Sequence, residues 1–303
     1  MDGIILYSVI SLGTVAAVSA IVLFVIAKKF KVEEDPRIDV IAELLPGANC
    51  GGCGYPGCRG FAEALVKGAD SGSIAGMNCA PAGSEQMAKI GKALGLEVTA
   101  SEPTVAVLLC GGTNEKASKK SDYDGPSKCS IAHTVSCGDK GCPHGCLGLG
   151  DCVTVCAFGA MYMDKKTGLP VIIEEKCVSC GACVKACPRK LIEIRPVGRK
   201  SRRVWVNCRN TEKGATAMKV CKAACIGCGK CVKECPEKVA AITLDNFLAY
   251  IDPKKCIACG KCISVCPTHA ISATFEPPAP KPKPVEEPVK SEKKEEVKEQ
   301  QQI

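Results

Sequence analysis

The chain has 303 residues, 25 of them cysteine, and a formal net charge of +8. Cysteine at this density points to a disulfide scaffold or a metal protein. With aromatic residues at 4% and a single Trp, an aromatic-rich core is excluded as the main organiser of the fold, and stacking platforms for nucleic acid are lacking.

Residues 1–31, MDGIILYSVISLGTVAAVSAIVLFVIAKKFK, have no Lys or Arg before an apolar run that stays uncharged from Gly3 to Ala27. At about 1.5 Å per residue this run predicts a helix of roughly 36 Å, sufficient to cross a ~30 Å hydrocarbon layer. A signal peptide cleaved near Ala20 would leave the apolar residues from Ile21 to Ala27 unexplained. Lys28, Lys29 and Lys31 follow at once and only Asp2 precedes. The positive-inside bias therefore predicts a single-pass anchor in the cytoplasmic (inner) membrane, with the bulk of the chain in the cytoplasm. That compartment keeps thiols reduced, which argues against disulfides.

Beyond the polar linker VEEDPR, residues 32–98 are expected to form a single-cluster 4Fe-4S domain. GANCGGCGYPGC and MNCAP supply Cys50, Cys53, Cys58 and Cys79 from a Gly-rich loop, and GFAEALVKGA reads as the short helix that spaces the last ligand. Zinc is a rival here, because four separated thiolates also suit a structural zinc ion.

Residues 99–222 are expected to hold a first ferredoxin-like module with an extra cluster site. VAVLLCGGT reads as a β run that ends at Cys110 ahead of two glycines. CVSCGACVKACP (Cys177, Cys180, Cys183, Cys187) has the spacing C-x2-C-x2-C-x3-C-P, in which three thiolates hold one 4Fe-4S cluster and the fourth serves its neighbour. Its mate lies upstream in CPHGCLGLGDCVTVCAFGA, with Cys142, Cys146, Cys152 and Cys156 at looser spacing and Ala157 where Pro is expected. The predicted ligand sets are Cys142, Cys146, Cys152 with Cys187, and Cys177, Cys180, Cys183 with Cys156. His144 is read as a loop residue, since four thiolates are already at hand.

Residues 223–275 read as a second, regular dicluster module. CIGCGKCVKECP and CIACGKCISVCP pair Cys225, Cys228, Cys231 with Cys266, and Cys256, Cys259, Cys262 with Cys235. The residues around LDN between them read as a hairpin. Gly181, Gly229 and Gly260, each after a second cysteine, suit a loop with positive φ packed against inorganic sulfide. Zinc does not favour such a triplet with a fixed fourth cysteine. Residues 276–303, dominated by Pro, Lys and Glu, are expected to form a disordered tail.

Twenty cysteines are then assigned and five remain: Cys110, Cys129, Cys137, Cys208 and Cys221. A sixth 4Fe-4S centre held by Cys110, Cys129, Cys208 and Cys221 is expected, with Cys137 spare; reduced buried cysteines acting as small apolar residues are the alternative. Each oxidised centre with four thiolates carries about −2, so six would take the formal +8 to about −4. Locally, KACPRKLIEIRPVGRKSRRVW carries eight basic residues against one Glu between Lys185 and Trp205. It reads as a solvated loop, a contact with anionic lipid, or a docking surface for an acidic redox partner.

The order of the anchor, GANCGGCGYPGC, LLCGGT, KGCPHGCLGLGDC and ferredoxin runs with CKAACIGCGKC resembles the B subunits of Rnf complexes, the membrane-bound ion-translocating ferredoxin:NAD oxidoreductases. The resemblance covers the chain except its tail, and the sequence departs from the family pattern at Cys137 and Ala157. It implies an α+β protein of small iron-sulfur domains that takes electrons from soluble ferredoxin. It also implies onward passage to flavoprotein and NAD-binding partner subunits, coupled in the complex to NAD reduction and Na+ or H+ translocation. The residues themselves support a membrane-tethered electron wire with no substrate chemistry beyond electron transfer. No G-x-G-x-x-G fingerprint marks a strand-to-helix turn, so NAD is expected on a partner. An electron-transfer subunit of a hydrogenase or formate dehydrogenase complex, and a structural zinc adaptor, are the alternative readings.

Overall fold

A computed structural model describes residues 2–29, 35–96, 102–135 and 138–278. Cys137 and residues 279–303 of the expected tail lie outside the described residues. Helix α1 (Asp2–Lys29) carries no charged side chain between Gly3 and Ala27 and closes on Lys28 and Lys29. From Ile5 it is long and apolar enough to cross a membrane, and none of that stretch is buried against the rest of the protein.

The next unit is a small helical bundle of α2 (Pro36–Leu44), α3 (Gly57–Asp70) and α4 (Gly83–Ala93). Asp35 caps α2 by accepting from the Arg37 backbone, and Pro36 supplies a preset first turn. Ile38 and Ile41 of α2, Phe61, Leu65 and Val66 of α3, and Met87 and Ile90 of α4 form one core, against which Cys53 and Cys58 pack and in which Cys79 is buried. The cysteine loop thus sits on a rigid helical base.

Two ferredoxin-like modules follow, each with the same strand logic. In the first, β1 (Thr104–Leu108) pairs antiparallel with β4 (Ile192–Pro196), and β2 (Met161–Asp164) forms a hairpin with β3 (Leu169–Ile172). In the second, β5 (Val204–Val206) pairs with β8 (Ile271–Ala273), and β6 (Ile242–Asp245) forms a hairpin with β7 (Leu248–Ile251). The hairpin expected around LDN is β6–β7, turning at Asn246 and Phe247, both at positive φ. The outer strands bracket each module: the chain enters on one and leaves on its partner. Because β5 pairs with β8, residues from Val204 onward belong to the second module, ahead of the boundary expected at 222/223; the pairing is long-range and no local spacing reports it.

Between the strands run one- or two-turn helices: α5 (Cys129–Val135), α6 (Asp151–Thr154) and α7 (Ala182–Ala186) in the first module, α8 (Gly214–Val220), α9 (Lys230–Glu234) and α10 (Lys261–Ser264) in the second. Gly181, Gly229 and Gly260 stand at the N-caps of α7, α9 and α10 in the left-handed region, with φ of 77°, 70° and 81°. Gly150 does the same for α6, with φ 84°. Strand and helix residues alone give these modules little to bury, and their cores are completed by cysteines: Cys152 and Cys183 in one, Cys208, Cys221, Cys231 and Cys262 in the other.

Two arginines of the basic stretch from Lys185 to Arg203, Arg195 and Arg203, are buried in an internal seam. Arg195 is 2% exposed, pairs with Glu193 at 3.1 Å, and lies over the Tyr250 ring of the second module at 5.4 Å. The Tyr250 hydroxyl donates to the other Glu193 oxygen at 2.8 Å. Arg203, also buried, pairs with Glu174 and donates to Val197 O at 3.2 Å, while Trp205 Nε1 donates to Leu108 O at 3.0 Å. These desolvated guanidiniums are paired, so the seam fixes how the modules sit on each other. Lys185, Lys190, Arg199, Lys200 and Arg202 stay exposed, Arg202 stacking on Phe275 at 3.9 Å.

Candidate iron-sulfur sites

The described cysteines gather into six quartets. Burial raises the Cys79 thiol, and the neighbouring Cys53, Cys58 and Cys50 raise it further; these four form the first quartet. Asn49 Oδ1 accepts from the Cys58 backbone at 2.8 Å and holds the loop at the start of α3. Cys156, Cys177, Cys180 and Cys183 line a second cavity with Ala106 and Ile194. In the second module Cys225, Cys228, Cys231 and Cys266 line one cavity, and Cys235, Cys256, Cys259 and Cys262 another.

The two remaining quartets differ from those expected. Cys129, Cys146, Cys152 and Cys187 line one cavity, while Cys110, Cys142, Cys208 and Cys221 line the other. Cys129 and Cys142 have exchanged places. Register explains it: superposing CLGLGDCVTVC on CVSCGACVKAC puts Cys146, Cys152 and Cys156 at first, third and fourth positions, with Leu149 where the second cysteine belongs. Cys142 lies outside that frame. The Cys142–Gly145 turn, closed by Gly145 N–H to Cys142 O at 3.2 Å, aims it at the other site, and Arg189 holds that turn through the Cys142 and Gly145 carbonyls.

The vacant second position is filled from a distance by Cys129, at the start of α5. Asp151 makes this possible: its carboxylate accepts from the Cys129 N–H at 2.8 Å and the Ser130 N–H at 3.0 Å. A carboxylate beside Cys152 thereby caps the helix that delivers another cysteine of the quartet. Asp151 carries no short-range capping signature, since the helix it caps starts 22 residues earlier. Asn210 is a second residue that sequence reasoning misses; it is buried, its backbone N–H donates to Cys208 Sγ at 3.4 Å and its side chain faces Cys142 Sγ at 3.7 Å.

The Cys110 quartet sits where the modules join. Cys110 and Cys208 each follow the first strand of a module, and Gly111 N–H donates to Asn207 O at 2.9 Å across the join. Ala117 bridges to Cys221. A Cβ on Gly112 would stand 3.5 Å from Cys221 Sγ and 3.6 Å from Cys110 Sγ, so glycine keeps that cradle clear. His144 lines the same cavity.

Neighbouring quartets meet in a single file. The raised Cys180 thiol, perturbed first by burial, also feels Cys50, and a Cβ on Gly52 would stand 2.5 Å from Cys180 O. Burial pushes Cys152 to about 12, with Cys183 of the next quartet contributing. Cys146 N–H donates to Cys110 Sγ at 3.3 Å, linking the two exchanged quartets. Cys208, pushed by burial to about 11, feels Cys225, and Cys262, pushed by burial to about 12, feels Cys231.

The donor set fits 4Fe-4S cubanes. Five of the quartets each line a cavity of their own. The regular runs offer a triplet of cysteines with a fourth at fixed spacing, whereas structural zinc sites take two separated pairs. Burial raises the thiols of Cys146, Cys183, Cys231 and Cys262 to about 11 or 12, so holding them as thiolates requires the positive charge of a bound metal. Backbone N–H groups reach the sulfurs of Cys187, Cys256 and Cys266 at 3.3–3.4 Å, as a ligated thiolate requires.

Comparison with known proteins agrees in kind. The FeS family, an Fe-S cluster domain, matches residues 45–72, and the 4Fe-4S dicluster domain family matches 140–191, 176–239 and 224–270. The B subunit of the Na(+)-translocating ferredoxin:NAD(+) oxidoreductase complex of Acetobacterium woodii is 42% identical over 80% of this chain and 70% of its own length. The B subunit of the ion-translocating oxidoreductase complex of Methanosarcina acetivorans is 42% identical over 84% and 93%. The chain belongs to the family of Rnf complex B subunits. The B subunit of the proton-translocating complex of Clostridium ljungdahlii, 38% identical over 78% of the chain and 81% of its own length, is a further relative. As an Rnf B subunit it is an iron-sulfur electron-transfer subunit of an ion-translocating oxidoreductase.

Proposed function

We propose that this subunit carries six 4Fe-4S centres held by the six quartets, accepts electrons from reduced ferredoxin and relays them to flavin- and iron-sulfur-containing partner subunits. In the assembled complex this relay serves NAD reduction coupled to translocation of Na+ or H+, with α1 as a single-pass anchor and the modules in the cytoplasm. The observation that carries the reading is the single file of quartets from Cys50 to Cys256. Bound clusters supply one-electron redox chemistry without proton or atom transfer.

The chain's own residues do the rest. Gly-capped loops present three thiolates from one turn, Asp151 and Asn210 orient Cys129, Cys142 and Cys208, and the Arg195–Glu193–Tyr250 seam prevents the modules from sliding apart. Every quartet cysteine except the exposed Cys228 is buried or half-buried, which limits the access of water to the sulfurs. Anaerobic full-length protein mixed with reduced bacterial ferredoxin tests the reading. Its visible absorbance is expected to bleach as the ferredoxin reoxidises; a brown protein that leaves reduced ferredoxin untouched would overturn it.

A further inference from the structure

Four polar residues are buried among those described: Arg195, Arg203, Asn210 and Lys140. The first two have carboxylate partners and Asn210 is fully engaged, but Lys140 has no carboxylate among the described residues. It is 9% exposed, and its ammonium donates only to two backbone carbonyls, Gly112 O at 2.9 Å and Gly168 O at 3.3 Å. A desolvated ammonium without a counter-charge is unfavourable in a protein interior, and no carboxylate among the described residues relieves it.

The negative charge that Lys140 lacks is supplied by its surroundings once the thiolates are bound. Lys140 lines the cavity of Cys110, Cys142, Cys208 and Cys221, and Gly112, whose carbonyl it holds, is the residue that clears the cradle between Cys110 and Cys221. Its charge also acts on Cys146 and Cys221, one from each of the two adjoining quartets. Lys116 faces Cys221 as well, but it is exposed and so screened by water.

We propose that Lys140 is the built-in counter-charge of the centre at the junction of the two modules, and that it raises that centre's reduction potential. The inference rests on reading the quartets as cluster ligands. Reduction adds one electron, supplied under the proposed function by reduced ferredoxin, and transfers no proton, so a fixed positive charge beside the site stabilises the reduced form more than the oxidised one. Lys140 is thus a positioning residue for charge: it favours residence of the electron midway along the file, between the two ferredoxin-like modules.

The test is an EPR-monitored redox titration of full-length, anaerobically purified protein with Lys140→Met, Lys140→Arg and Lys116→Met. In Lys140→Met, the component missing from Cys208→Ala protein is expected to shift negative. At fixed potential its oxidised-to-reduced ratio rises about tenfold, about 59 mV for a one-electron couple. Lys140→Arg restores the potential and Lys116→Met leaves it unchanged. Should Lys140→Met instead lose about four iron atoms, recovery of that iron in Lys140→Arg would support the charge role, and loss in both would overturn it in favour of shape alone. Wild-type potentials throughout with full iron would also overturn it while leaving the six-centre reading intact; a wild-type protein without iron would end that reading instead.

Discussion

The exchange of Cys129 and Cys142 is open to a test that single substitutions cannot provide. Removing any one quartet cysteine costs one centre, so Cys129→Ala, Cys142→Ala and Cys208→Ala should each fall from about 24 to about 20 iron atoms per chain. Pairs distinguish the partners. Cys142 and Cys208 line the same cavity, so Cys142→Ala with Cys208→Ala should cost no more than either alone, leaving about 20 iron atoms. Cys129 lines a different one, so Cys129→Ala with Cys208→Ala should cost two centres and leave about 16. Each Cys→Ala change by itself deletes one sulfur and leaves only a small void, worth about 1 kcal/mol; the further cost of losing a centre is read from the folding check. The assay is iron and sulfide analysis of anaerobically purified protein, with far-ultraviolet circular dichroism as the check on folding. The reverse result, about 16 iron atoms for the Cys142 pair and about 20 for the Cys129 pair, would refute the assignment.

Gly52→Ala places a methyl 2.5 Å from Cys180 O and should force the first quartet away from the second at a cost of about 1–3 kcal/mol; spin–spin broadening between the two centres is expected to weaken with iron unchanged, and unchanged broadening would contradict the close approach. Arg199→Ser with Lys200→Ser removes two exposed cations outside the buried seam and should slow reduction by acidic ferredoxin about threefold or more at low salt. The difference should vanish near 0.15 M ionic strength, where the Debye length is about 8 Å; an unaltered salt profile would place ferredoxin docking elsewhere. A phosphatase reporter fused after Ile303 should be inactive and a fluorescent one bright, because Lys28 and Lys29 close α1; phosphatase activity would reverse the topology.

Where the chemistry is local, the sequence was sufficient. The uncharged run from Gly3 to Ala27 is α1, GFAEALVKGA lies within α3, and the regular C-x2-C-x2-C-x3-C runs converge as their spacing requires, because three thiolates on one Gly-capped turn need no help from elsewhere. The irregular run misleads for the complementary reason. Counting cysteines outward from Cys152 makes Cys142 its natural partner, although alignment on Gly150 and Cys156 leaves a vacancy at Leu149 and places Cys142 outside the frame. That vacancy was readable; its filling by Cys129 was not, since it depends on Asp151 capping α5 across the fold. Likewise β5 joins the second module only through β8, and the burial of Arg195 and Arg203 emerges when Glu193, Tyr250 and Glu174 come together. Composition had presented these arginines as surface charge.

Metal and sulfide content of the full-length protein, purified without oxygen, bears most directly on six 4Fe-4S centres along one chain. About 24 iron and 24 acid-labile sulfide per chain, with zinc near zero, is the predicted result. Stoichiometric zinc, or no more than about 16 iron atoms in a chain whose quartet cysteines are all intact, would contradict it.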